Sequence, residues 1–124
     1  MAHHGKIQLI FTITAPPELV DEGDRLFRSH APWIESTHHR TGDKALLSYN
    51  VSKAQELKNP LDPSAGETGS TCFVLNEIYE SEAGVADHFA QAMSSWPDFS
   101  AFVEWMGKCK TVVVPSAKIF NSLW

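Results

Sequence analysis

Glu77 and His88 are the residues whose types and spacing invite chemistry. In FVLNEIYESEAGVADHFAQAMSSWPDFSAF, Phe73 to Phe102, a carboxylate and an imidazole stand eleven positions apart, one in a run that reads as a strand and the other in a run that reads as a helix. A carboxylate bonded to an imidazole fixes one tautomer and raises its basicity, which suits a general base removing a phenolic or carbon-bound proton. Glu77 is in phase with Phe73, Leu75 and Tyr79 on an apolar strand face, where burial without a partner is costly or raises its pKa. His88 falls on the inner stripe of the next helix, so a Glu77–His88 hydrogen bond is expected where that helix packs on the strand. The same contact also reads as a purely structural one that pins helix to strand.

Tyr49 and Asn50 on a second strand, with Asn76, are candidates to line a pocket with hydrogen bonds for a polar aromatic ligand. Trp96, Trp33 and Trp105 sit near helix ends, where they either wall such a pocket or pack the core. His38-His39-Arg40 reads as exposed turn residues. His3 and His4 could chelate copper or nickel, but a frayed terminus or a tag remnant is the simpler reading. The chain has no Walker loop, GxGxxG, HExxH, CxxC or GxSxG, so no metal or nucleotide site is expected.

The elements that position these residues follow from periodicity. Lys6 to Thr14 alternates Ile7, Leu9, Phe11 and Ile13 against Gln8, Ile10, Thr12 and Thr14, and reads as a strand. Ala15-Pro16-Pro17 stops it, and a helix follows with an acidic start and an inner stripe of Leu19, Gly23, Leu26, Phe27, His30 and Ile34, disturbed near its end by Pro32. Lys44 to Ser52 is the second strand, with Leu47, Tyr49 and Val51 on one face and Leu46, Ser48 and Asn50 on the other. Residues 53–69, from Lys53 to Gly69, carry two prolines and two glycines and read as a long irregular loop, a lid or a surface insertion.

Ser70 to Glu80 is the third strand, and Ser81 caps a helix from Glu82 to about Met93, whose inner face holds Val85, His88, Phe89, Ala92 and Met93. Ser95-Trp96-Pro97-Asp98 restarts a short helix ending at Gly107. Thr111 to Phe120 is the last strand, and its Pro115 implies a sheet edge or a bulge. The order strand, helix, strand, strand, helix, strand is the α+β ferredoxin-like pattern βαββαβ, one antiparallel four-stranded sheet with helices on one face.

Strands one, three and four are apolar on both faces, and the chain's own helices cover only one, so a partner sheet and a homodimer are expected. Long polar side chains and the loop are the alternative cover. At 124 residues and 43% hydrophobic content the chain is a single domain over residues 1–124. A net charge of −5 without a Lys/Arg cluster leaves no footprint for nucleic acid or anionic lipid. The N-terminal apolar run is too short for a secretory signal and no segment reaches membrane-spanning length, so a cytoplasmic location with reduced Cys72 and Cys109 is expected.

FVLNEIYESEAGVADHF, with LLSYNV at Leu46 to Val51, resembles the antibiotic biosynthesis monooxygenase family of the dimeric α+β barrel superfamily: a strand Glu, a Ser-Glu-Ala helix start, then a helical His before an apolar residue. The resemblance spans nearly the whole chain apart from residues 53–69. It implies a homodimer with a pocket between sheet and helices, and a cofactor-independent monooxygenase that uses O2 on a small aromatic, phenolic or quinol-type compound without metal or flavin. By this likeness His88, oriented by Glu77, is the base, and Tyr49 and Asn50 are pocket residues. Asp98 stands where family members often have a second His, and the haem-degrading branch has Trp at the position of His88, so haem degradation is disfavoured. Two other classes fit the same sequence: a non-catalytic dimeric module that binds a small ligand or is only structural, and a polyketide cyclase-like enzyme that consumes no oxygen.

Overall fold

The computed structural model describes residues 2–124. β1 (Ile7–Ala15) realises the expected alternation, with Ile7, Leu9, Phe11, Ile13 and Ala15 buried and the residues between them half-buried. After Pro16 a single 3-10 turn, Pro17–Leu19, leads into α1 (Val20–Thr37). Pro32 does not end α1, because it lies on the exposed side, where water can take the place of the missing amide. β2 (Leu46–Leu57), β3 (Glu67–Tyr79), α2 (Glu82–Ser95), α3 (Phe99–Gly107) and β4 (Lys110–Lys118) complete the chain. The sheet order is β2-β3-β1-β4 with every pairing antiparallel, the ferredoxin-like α+β arrangement. β4 is an edge strand, and Pro115 also sits at a bulge, where the pairing shifts between Gln8 and Ile10.

Residues 53–69 are not an irregular loop. β2 and β3 run on into that segment as a hairpin arm, pairing Lys53 with Phe73, Gln55 with Thr71 and Leu57 with Glu67. The arm stands mostly in solvent, so it carries polar residues on both faces and shows no alternation. Cross-strand bonds from Thr68 Oγ1 to Glu56 (2.9 Å) and from Gln55 to Thr71 (3.2 Å) tie it together. In β2, Leu47 does not share a face with Tyr49 and Val51 as expected, because pairing shifts between Leu46 and Ser48. Leu47 is the extra residue of that bulge, so Leu46 enters the core and Leu47 turns outward.

Ser81 caps α2 as expected, its Oγ accepting from the Ala83 amide at 3.3 Å. Met93, expected on the inner face of α2, is instead 66% exposed near the end of that helix. Among the described residues, those from His3 to Lys6 are not frayed: Gly5 N donates to Ile119 O at 2.8 Å and His3 N to Ser122 Oγ at 3.1 Å. The core between helices and sheet is aromatic, with Phe27, Phe73, Phe102 and Trp105 in mutual edge and stacked contacts. Cys72 and Cys109 are free thiols. No helix among the described residues is long and apolar enough to cross a membrane.

Candidate functional site

The strand period decides which candidates meet. Tyr49 lies opposite Glu77 and Asn50 opposite Asn76, so the first pair faces the helices and the second faces away. Asn50 and Asn76 are therefore not part of a pocket with His88: Asn76 accepts from Gln8 Nε2 at 3.0 Å, and Asn50 donates to Ser48 at 3.3 Å. On the helix-facing side Glu77 is completely buried and His88 nearly so.

The expected Glu77–His88 hydrogen bond is replaced by a wider network. His88 Nδ1 lies 3.6 Å from Glu77 Oε1, while that oxygen accepts a short hydrogen bond from the Tyr79 hydroxyl. His88 Nδ1 is instead 2.8 Å from His38 Nε2. His38 Nδ1 faces Thr37 Oγ1 at 2.9 Å, and that hydroxyl donates its own proton to Trp33 O at 2.7 Å. Thr37 must then accept from His38 Nδ1–H, so His38 Nε2 is an acceptor and His88 Nδ1 carries the donated proton. This assignment leaves His88 Nε2 with a free lone pair.

His30, on the inner stripe of α1, extends the network to Tyr49, with Nδ1 2.8 Å from the phenol oxygen. His30 and His88 both line an open apolar cavity of about 290 Å3 together with Phe11, Phe89, Phe99 and Phe102. Trp96 also lines it, as expected, but its indole N–H is taken by Ser29 Oγ at 3.0 Å, so it presents only its ring. Asp98 holds that Ser29 hydroxyl at 2.6 Å and Arg25 at 3.2 Å, which makes it a support for the Trp96 wall.

Burial sets the charges. It lowers His88 to about 3, with the neighbouring His38 and His30 acting in the same direction. His30 also falls to about 3 through burial. His38 falls to about 4 through burial, with Asp87 opposing. Glu77 rises to about 7 through burial, against the hydrogen bond from Tyr79. The expectation that Glu77 makes His88 more basic is thus corrected: desolvation outweighs a carboxylate that is itself only partly ionised at neutral pH, and His88 is an uncharged imidazole. Tyr49 and Tyr79 are both pushed upward, chiefly by burial, and stay protonated.

Two members of the network, His30 and His38, carry little signal in the sequence. His30 was readable only as part of an apolar stripe, although a polar residue on such a stripe is the same signal that marked Glu77. His38, expected as an exposed turn residue, is instead half-buried and bonded to His88: it closes α1 beyond the last helical turn, so no periodicity points it inward. The gathering of His30, Glu77 and His88 from α1, β3 and α2 likewise leaves no contiguous motif. Compared with known proteins, the chain matches no family model and no curated protein.

Proposed function

We propose that the protein is a cofactor-independent monooxygenase acting on a small aromatic, phenolic or quinol-type compound held in the cavity beside His88. The observation that carries this reading is the free His88 Nε2 at the wall of an apolar cavity, with a hydrogen-bonded route from its other nitrogen to half-buried His38. A buried imidazole lowered to about 3 stores a proton poorly. A relay solves that difficulty: Nε2 takes the substrate hydroxyl proton while Nδ1 passes its own to His38, moving charge out of the core toward Asp87. The deprotonated substrate then gives an electron to O2, the radical pair joins as a ring peroxide, and loss of water leaves a quinone, so one phenol and one O2 yield one quinone and one water. At about 290 Å3 the cavity is near the small end of ligand pockets, roughly 300–1,000 Å3.

Action as a homodimer in the cytoplasm belongs to the same proposal. Support for a second copy comes from the sheet face away from the helices, where Val112 and Val114 are 54% and 45% exposed beside half-buried Ile10 and Val74. The test is oxygen uptake with a panel of phenols and quinols. Uptake is expected in the native protein, with a fall of about 10²–10⁴-fold in a folded His88→Ala. An unchanged rate in that variant sinks the assignment. Product formation without oxygen uptake favours the cyclase-like reading, and saturable binding without turnover favours the binding module.

A further inference from the structure

Going beyond proton abstraction, we propose that His30, Glu77 and His88 form a binding site for one divalent first-row transition ion at the inner wall of the cavity. One ligand atom from each lies within 4.8 Å of the others, and all three side chains are buried. The close approach of His88 to Glu77 is Nδ1 to Oε1 at 3.6 Å, so coordination through Nε2 at about 2.0–2.2 Å requires the side chains to shift.

A separate observation points to a cation. Glu77 Oε2 is sealed in the protein and has no hydrogen-bond partner. A buried carboxylate oxygen without a donor is rare and costly, and an ion between the three residues supplies its missing partner. Each histidine is already engaged through Nδ1, His30 with the Tyr49 hydroxyl and His88 with His38 Nε2, both at 2.8 Å. Nε2 of each ring has no protein partner and, unlike Glu77 Oε2, is not sealed. Outer partners of this kind orient the imidazoles that bind metals. Two imidazoles and one carboxylate suit zinc, iron(II) or cobalt(II), and leave coordination positions open. Neutral imidazoles need lose no proton, whereas Glu77 must release its own, so acid weakens binding.

An ion on His88 Nε2 takes the lone pair that the proton-abstraction reading requires, so metal inhibits that reaction. The test uses no substrate, and its failure leaves that reading standing. The full chain carrying His3→Ala and His4→Ala, which removes the terminal imidazoles, is titrated with Co2+ near neutral pH and followed by visible absorption, with Zn2+ in equilibrium dialysis. One equivalent with new visible bands is expected, weakened at least tenfold in Glu77→Gln, His30→Gln and His88→Gln. A variant that loses its native circular dichroism is set aside and the others decide. No retained ion, or affinity unchanged in the folded variants, overturns the site.

Discussion

His30 and His88 are held uncharged by burial, each near 3 against an unfolded value near 6.5. Between those values the unfolded chain binds more protons, so each contributes stability that is present at neutral pH and lost as pH falls below about 6.5. Glu77, raised to about 7 from 4.5, acts in the opposite sense: its contribution is full below 4.5 and is lost as pH rises through 7. From pH 6.5 to pH 5 each of these two histidines costs about 2 kcal/mol and Glu77 returns about 2 kcal/mol, a net loss near 2 kcal/mol, to which His38 adds in the same direction. Urea unfolding at the two pH values measures this, and Glu77→Gln is expected to steepen the acid loss. If stability is flat over that range, the neutral-histidine description fails. Tyr79→Phe strips Glu77 of its remaining donor and is expected to cost about 1–3 kcal/mol by the same assay.

Helix α2 meets the sheet closely because residue 84 is glycine. A Cβ there would stand 2.7 Å from Tyr79 Cδ1 and 3.0 Å from the backbone carbonyl of Lys44. Alanine is the better helix former by about 1 kcal/mol, yet Gly84→Ala is expected to destabilise by about 1–3 kcal/mol, since the carbonyl cannot yield and Tyr79 must. A gain in urea midpoint for that variant would contradict the packing described. Elements with a regularly spaced buried face were legible in the sequence: β1, the core of β3, α2 and its Ser81 cap. The β2–β3 arm was not, because with both faces wet it has no period to read. The bulge at Leu47 was not either, because an extra residue alters phase without altering composition.

At the scale of the molecule, the four-stranded order and the edge position of β4 followed from element order and Pro115, whereas the His38–His88 contact joins residues 50 positions apart and appears only once α1 and α2 lie on one sheet. The protein is expected to elute as a dimer, and Val112→Glu or Val114→Glu, on the face away from the helices, to give a folded monomer. A native chain that sediments as a monomer at all concentrations refutes it.

The indoles around the network give the protein an optical consequence. Trp96 lies edge-on to His30 at 4.8 Å and Trp33 edge-on to His38 at 5.1 Å, both buried, while Trp124 is 98% exposed. Protonated imidazoles quench indole emission, and so does a paramagnetic ion. The blue-shifted emission of Trp33 and Trp96 therefore reports the state of the histidines, that of buried Trp105, packed on Phe27, Phe73 and Phe102, does not, and the solvent-facing tryptophan serves as an internal reference in the same spectrum.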